Sequence, residues 1–268
     1  MQSTNSKFYF VFVILSLFAA AGLRLSMFLF NPSEAVNCVY YAVVVLGAVM
    51  IALNSFGSKS FANAFIFKND FHLNIFSYAA CIGFFADFVY QCTEIFLSVD
   101  DGDYKNLTHF VPLCFVCFFS LLSCFYFYTV GLSFGDKNYD FRELKIMHLA
   151  PVFWSGAKIL LLMQFAINPF SDIGGVLKYA VLIFAVCFFY CFASEIENDK
   201  GARPVTVFFA RAFSYCSMLF FIDGIIVLLS KNAAVTDENT VFSVCALLIG
   251  SFAFFFEKNI VVRSNLER

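Results

Sequence analysis

Two similar segments decide how this chain folds: FSYAACIGFFAD at residues 76–87 and FSYCSMLFFID at residues 213–223. Both begin with Phe-Ser-Tyr, continue through an apolar run and end on an aspartate, and they are offset by 136 or 137 residues. Because an unpaired charge inside a membrane costs about 2.5–3.5 kcal/mol, each aspartate needs a compensating group. The two segments predict a duplicated membrane protein with a charged site in each half.

The composition also indicates a membrane protein. Apolar residues make up 61% of the 268 residues and charged residues only 13%, whereas a soluble domain carries about 25% charged residues. The apolar residues form long runs separated by short polar segments, which is typical of an all-α, multi-pass membrane protein. The lipid bilayer is therefore the first expected partner. A net charge of −2 gives no electrostatic basis for binding nucleic acid.

Eight apolar runs are each long enough to cross about 30 Å of hydrocarbon as a helix. The predicted transmembrane helices cover residues 8–30, 36–56, 72–98, 110–133, 147–168, 175–195, 204–230 and 239–257. We divide the chain into two four-helix repeats, residues 1–134 and 135–268. Because each repeat has an even number of helices, both insert in the same direction and form parallel repeats.

Further matches between the halves occur in the same order along the chain. Helices one and five contain GLRL and GAKI, followed by NPSE and NPFSD. Helices two and six share Tyr-Ala-Val, and helices four and eight share Val-Cys. Each match is short, but their common order favours duplication.

The distribution of cationic residues between the two sides of the membrane predicts the orientation. Eleven of them lie in the termini and loops of one side and three on the other, where they are Lys105, Lys178 and Lys231. Lysine and arginine concentrate on the cytoplasmic side, so both termini are expected there, in a cell membrane. Alternatively, the first helix is a signal peptide cleaved after the small residues at 19–22, which would leave seven spans. The repeat favours keeping it.

Each half carries one cation in its first helix and one acid in its third. These residues are Arg24 and Asp87 in the first half, and Lys158 and Asp223 in the second. All four lie well inside the predicted spans, so each needs a partner or a water-filled cavity. We expect Arg24 to pair with Asp87, and Lys158 to pair with Asp223.

Helix three carries more polar residues on the face that holds Asp87. Gln91 and Glu94 follow at i+4 and i+7, which places them on the same face. Ala80 and Gly83 continue this stripe and favour close helix packing. The candidate solute or ion pathway therefore comprises Arg24, Asp87, Gln91, Glu94, Lys158 and Asp223. The alternative is that these residues form buried ion pairs that only fix helix register.

Other polar residues inside the spans have simpler interpretations. His148 and Trp154 are expected to anchor the start of helix five at the membrane interface, and Arg211 to extend its charge to the membrane surface. Cys114 and Cys117 form a CxxC motif without a histidine in the same run, so no metal or cofactor is expected. The ten cysteines are interpreted as small apolar residues without disulfides.

No catalytic signature for an enzyme occurs: the sequence lacks GxSxG, HExxH and a nucleotide-binding loop. A membrane enzyme that uses Asp87, Glu94 and a nearby cation for acid–base chemistry stays an alternative. Duplication and paired charges favour a transporter or permease-like protein for a small solute, an ion or a proton, with the two halves rocking around the central charges. The alternative is a non-catalytic sensor, scaffold or accessory subunit, which would require a membrane partner protein.

Overall fold

The computed structural model describes residues 2–30, 34–56, 70–100, 107–135, 144–165, 173–198, 203–231 and 238–266. Within these ranges the protein is all-helical and has eight α-helices, as predicted. A short 3-10 segment, Lys145–Leu149, leads into the fifth helix. The helices are α1 (Gln2–Phe30), α2 (Glu34–Phe56), α3 (Phe71–Asp100), α4 (Leu107–Gly135), α5 (Ala150–Phe165), α6 (Ile173–Asn198), α7 (Pro204–Lys231) and α8 (Glu238–Leu266).

Seven helical segments are long and apolar enough to cross a membrane: α2, α3, α4, α6, α7, α8, and α5 taken together with the 3-10 segment before it (Lys145–Gln164). The apolar part of α1, Val11–Met27, is shorter, so its crossing stays a prediction. Helix α8 continues to Leu266, beyond the predicted end at residue 257. The prediction followed apolar residues, whereas helical hydrogen bonding continues into polar ends. The protein is thus a multi-pass membrane protein.

Six helices form a closed ring. Each of α3 to α8 packs against the next helix in the chain, and α8 closes the ring by packing against α3. The hairpin of α1 and α2 lies outside this ring, where both helices contact α7. Helices α5 and α6, which correspond to that hairpin in the predicted duplication, lie within the ring. The four-helix repeats and their boundary stay predictions.

The direction of the helices follows from their contacts. Ser16 meets Tyr215, and Arg24 meets Asp223, with the same separation of 199 residues, so α1 and α7 run parallel. Contacts between consecutive ring helices and between α3 and α8 run antiparallel. We call the end of the bundle where the odd-numbered helices begin the terminal face, and the end where they finish the loop face.

Close packing of α3 against α8 depends on Gly83. A Cβ atom added there would lie 3.1 Å from the carbonyl oxygen of Cys245 and 3.1 Å from Ile249. Ala80, one turn away on α3, is completely buried. The expectation that this stripe of small residues supports helix packing is confirmed, since it allows the two backbones to approach.

Aromatic side chains fill the middle of the ring. The ring centroids of Phe84 and Trp154 are 4.9 Å apart, as are those of Phe127 and Phe252. These distances and the edge-on orientations are favourable for aromatic pairs. The fully buried rings of this aromatic core are Phe84, Phe127, Trp154, Phe188, Phe189, Phe192, Phe213 and Phe252. The core accounts for part of the high phenylalanine content.

Candidate functional site

A buried ion pair joins α3 and α5 inside the ring. The ammonium of Lys158 binds Oδ1 of Asp87, and each side chain is only 1% exposed. Asp87 lies near the middle of α3 and three residues from Phe84 of the aromatic core. The pair therefore lies far from both ends of α3 and close along the sequence to the aromatic core.

Three other side chains donate hydrogen bonds to the same carboxylate. Ser120 Oγ of α4 and Trp154 Nε1 of α5 each lie 2.7 Å from Oδ2 of Asp87. Gln91 Nε2 lies 3.5 Å from Oδ1. Hydrogen bonds to a charged acceptor are stronger than neutral ones, so these donors fix the position of the carboxylate beside Lys158. Helices α3, α4 and α5 converge on one acid.

Lys158 also faces aromatic rings. Its ammonium lies 4.2 Å from the ring centroid of Phe242 in α8 and 5.7 Å from that of Trp154. A cation over an aromatic face is attracted by the ring quadrupole, and the attraction grows when water is excluded. This contact connects the ion pair to α8 on the opposite side of the ring.

A second ion pair lies at the junction of the outer hairpin and α7. Nε of Arg24 donates to Oδ1 of Asp223, and the two side chains are 15% and 6% exposed. Two turns towards the terminal face, the hydroxyl groups of Ser16 and Tyr215 lie 3.2 Å apart. Both contacts hold α1 against α7.

The predicted pairing of the four charges is wrong. Arg24 binds Asp223 rather than Asp87, and Lys158 binds Asp87 rather than Asp223. The reason is helix packing. Helix α1 lies against α7, whereas α5 packs against α4, which in turn packs against α3. Each ion pair therefore joins residues 1–134 to residues 135–268, and the four charges form two sites instead of one.

The other two pathway candidates behave differently. Gln91 is buried and joins the Asp87 network, as its position on the same helix face suggested. Glu94 is half-buried, and no described residue forms a hydrogen bond or an ion pair with it. The structure thus brings Asp87, Gln91 and Lys158 together and leaves Glu94 outside this network.

Lys178 was assigned to a loop, but it lies inside the bundle. Its side chain is 7% exposed and binds Oε1 of Glu238 at 2.7 Å and Oδ1 of Asn239 at 3.2 Å. Its ammonium also lies 5.7 Å from the ring centroid of Phe242. The sequence signal was its position within the predicted span of residues 175–195, which places Lys178 inside the helix rather than in the loop before it.

His148 and Trp154 are not interfacial anchors. Each is 1% exposed, because the start of α5 is enclosed by α4 and α6. Nδ1 of His148 lies 3.1 Å from the hydroxyl of Tyr126, and Trp154 binds Asp87. Their polar atoms serve contacts within the bundle, which hydropathy alone does not reveal.

Arg211 does not extend to the membrane surface either. It is 8% exposed, and its Nε donates to Oε1 of Glu257 in α8 at 2.7 Å. Nη1 donates to Oδ1 of Asn54 and Oγ of Ser55 in α2, at 2.6 and 3.2 Å. This third network lies nearer the terminal face and joins α2, α7 and α8.

Two thiol contacts between α3 and α4 flank the Asp87 site. Sγ of Cys81 lies 3.5 Å from Sγ of Cys124, and Sγ of Cys92 lies 3.5 Å from Sγ of Cys117. All ten cysteines are free thiols. Within the described ranges, no group of three or more potential ligands is arranged to hold a metal ion.

Comparison with protein-family models, with curated proteins and with solved structures finds no match to this chain. A functional interpretation therefore depends on the charged networks themselves. They can hold charge inside a membrane, bind a charged solute, or connect helices that move relative to one another.

Proposed function

We propose that the protein is a transporter or permease-like protein for a small solute or ion, and that the ring of α3 to α8 encloses its pathway. The observation that carries this proposal is the burial of the Asp87/Lys158 pair at the centre of the ring. Ionisable groups inside membrane bundles commonly mark the routes of solutes, ions or protons.

The energetics support a role beyond stability. Replacing a buried ion pair by well-packed apolar residues is often neutral or stabilising, because desolvation offsets the attraction between the charges. A bundle that only needed to hold α3 against α5 would be served by two apolar side chains. Keeping Asp87 and Lys158 is better explained by a need for charge at this place.

The arrangement of the pairs supports a moving interface. Both Asp87/Lys158 and Arg24/Asp223 join the first half of the chain to the second. Movement of α3 and α4 against α5 would separate Asp87 from Lys158, and movement of the α1/α2 hairpin against α7 would separate Arg24 from Asp223. An arriving charged solute or proton would compensate the separated charges and lower the cost of that movement.

The packing supports a pathway that is closed on the side of the aromatic core. The aromatic rings of Trp154 and Phe84, whose centroids are 4.9 Å apart, extend from the ion pair into that core. Lys178 and Glu238 lie towards the loop face, near the start of α6 and at the first residue of α8. Passage from the loop face would meet charged groups first and would require the aromatic rings to repack.

A second candidate function rests on a different observation. Asp87 accepts from Lys158, Trp154, Ser120 and Gln91, so its carboxylate is compensated without any ligand. Such a network equally suits a static subunit that supports a membrane partner protein. Solute movement separates the two candidates.

The test is solute exchange by the purified protein in liposomes. Loaded liposomes are incubated with labelled mixtures of small carboxylates, amines, sugars and inorganic ions, and the retained label is identified by mass spectrometry. The test variant is Asp87→Asn with Lys158→Gln, which removes both charges and keeps polar side chains. The matched control is Arg211→Gln with Glu257→Gln, which makes the same change in the network nearer the terminal face.

The proposal expects exchange by the unaltered protein and by the control, and none by the Asp87/Lys158 variant, with all three folded. Exchange that persists without Asp87 and Lys158 would contradict the role of this pair. A folded protein that exchanges nothing would favour the static subunit.

A further inference from the structure

Four cysteines form two thiol pairs across the contact between α3 and α4. Sγ of Cys81 lies 3.5 Å from Sγ of Cys124, and Sγ of Cys92 lies 3.5 Å from Sγ of Cys117. A cysteine that only fills space as a small apolar residue does not need a second thiol beside it. All four side chains are partly exposed, so a second reactant can approach them.

Each pair is placed to form a disulfide without rearrangement of the helices. A disulfide joins side chains whose Cβ atoms are about 4 Å apart, and two thiols already in contact need only small adjustments to meet this geometry. Formation of one S–S bond releases two electrons and two protons. The contact between α3 and α4 can therefore supply two electrons at each of two levels.

The reactant that accepts these electrons must come from the lipid. All four thiols lie inside the membrane-spanning segments Phe71–Asp100 and Phe110–Gly135. Exposed apolar side chains of such segments face the hydrocarbon. Two of these side chains, Phe85 on α3 and Phe118 on α4, are 52% and 55% exposed and lie between the thiol pairs along their helices. A lipid-soluble molecule can reach this surface directly.

The surface between the two thiol pairs is aromatic. Phe85 lies one turn from Cys81, and Phe88 lies one turn from Cys92, so each thiol of α3 has a phenylalanine on the side that faces the other thiol. The ring centroids of Phe85 and Phe88 are 6.3 Å apart. Flat ring systems pack favourably against such rings. The surface thus suits a planar, lipid-soluble acceptor of two electrons and two protons, and quinones have all these properties.

We propose that the contact between α3 and α4 is a site at which a quinone dissolved in the bilayer is reduced to quinol by the paired thiols. Sγ of one cysteine adds to a ring carbon of the quinone, and Sγ of its partner then attacks that sulfur. The S–S bond forms as the C–S bond breaks, the electron pair passes to the ring, and the two thiol protons pass to the two quinone oxygens. The dithiol is oxidised and the quinone is reduced. This activity does not depend on the proposed transport.

The test uses decylubiquinone, whose ring carries no hydrogen, so that stable substitution by a thiol is blocked. The reduced full chain is placed in nanodiscs that contain this quinone, without oxygen. Quinol is measured by absorbance, and disulfides are mapped by mass spectrometry of proteolytic peptides. The expected result is two quinols per chain, with disulfides between Cys81 and Cys124 and between Cys92 and Cys117.

Variants assign the electrons to the thiol pairs. Cys81→Ser and Cys92→Ser should each leave one quinol per chain, and the variant with both changes should form none. The matched control retains only Cys187 and Cys191, which are also partly exposed. They lie four residues apart on α6, where Cβ atoms are about 5–6 Å apart, too far for the geometry of a disulfide. This control should form no quinol.

Size-exclusion chromatography and thermal unfolding show whether each variant is folded. Quinol formation that follows the two thiol pairs supports the proposal. A folded, fully reduced chain that forms no quinol would overturn it, whether or not copper phenanthroline oxidises the same thiols. Equal quinol formation by the control that retains Cys187 and Cys191 would overturn the assignment to α3 and α4. Faster oxidation by a sulfonated quinone confined to water would overturn the approach from lipid. Solute exchange by a cysteine-free chain tests transport separately.

Discussion

Lys158 in the second half of the chain is paired with Asp87 in the first half, and Arg24 of the first half is paired with Asp223 of the second. Each half thus supplies the counter-ion for the other. Both ion pairs therefore cross the boundary between residues 1–134 and 135–268. Movement of α3 and α4 against α5, or of the α1/α2 hairpin against α7, would separate one of the pairs, which is why they are central to the proposed transport.

Charge reversal tests the observed pairing at the outer hairpin. Arg24→Asp should destabilise the protein by about 3 kcal/mol, because it places two acids together in a membrane. Adding Asp223→Arg should restore most of this loss, since the pair is rebuilt with opposite polarity. The measurement is the midpoint of thermal unfolding in detergent, followed by size-exclusion chromatography.

The control for this charge reversal combines Arg24→Asp with Asp87→Arg, which gives the chain the same net charge as Arg24→Asp with Asp223→Arg. It should be less stable than either single variant, because the new arginine lies beside Lys158. Recovery in this variant, and not with Asp223→Arg, would support the pairing expected from sequence and contradict the observed one.

Removal of the central pair should have non-additive effects on folding. Lys158→Met leaves the Asp87 charge buried and should cost about 3 kcal/mol. Lys158→Met with Asp87→Leu should return to within about 1 kcal/mol of the unaltered protein, since neither charge remains. The same thermal measurement checks both variants. If the double variant loses the sum of the single losses, the two residues do not act as a pair.

Oxidation should trap two contacts between α3 and α4. The Sγ atoms of Cys81 and Cys124, and those of Cys92 and Cys117, are close enough to form disulfides after small adjustments. A protease site placed in residues 101–106 separates the helices, and copper phenanthroline should keep the fragments joined on a non-reducing gel.

The thiol prediction has an internal control. Variants that retain either pair alone should remain cross-linked, whereas a variant retaining only Cys81 and Cys117 should separate. Cross-linking of that mismatched variant at an equal rate would mean that the register of α3 against α4 differs from the one described.

The contribution of Glu195 to stability should depend on only one of its two carboxylate oxygens. Oε1 accepts from the backbone N–H of Arg203 at 2.7 Å and from the hydroxyl of Thr206, while Oε2 has no hydrogen-bond partner within the described ranges. Glu195→Gln keeps the accepting oxygen and should change stability by less than about 1 kcal/mol, whereas Glu195→Ala should cost about 1–3 kcal/mol. A larger loss in Glu195→Gln than in Glu195→Ala, by thermal unfolding, would contradict this role.

The fold class and the helix number were accessible from sequence because run length and hydropathy determine which segments cross a membrane. The charged residues were accessible as well: Asp87, Lys158, Arg24 and Asp223 are conspicuous inside apolar runs. Both are properties of single helices, and no knowledge of their neighbours is required.

The partners of these charges were not accessible from sequence, because pairing depends on which helices are adjacent. The sequence alone gave no sign that α1 lies on α7 outside a six-helix ring. For the same reason Trp154 was interpreted as an interfacial residue instead of a donor to Asp87, and Lys178 as a loop cation. Polar residues near helix ends look alike in sequence whether they face lipid headgroups or a protein interior.

The most direct test of the central claim is solvent access to the ring beside Lys158. Leu161 lies one turn from Lys158 on the same face of α5 and is buried. In a cysteine-free background, Leu161→Cys is exposed to a membrane-impermeant thiol reagent in sealed vesicles of both orientations. Labelling from the loop face is expected in the folded protein. Absence of labelling from both sides, in a folded protein that reacts fully after denaturation, would contradict a pathway that opens at the Asp87/Lys158 pair.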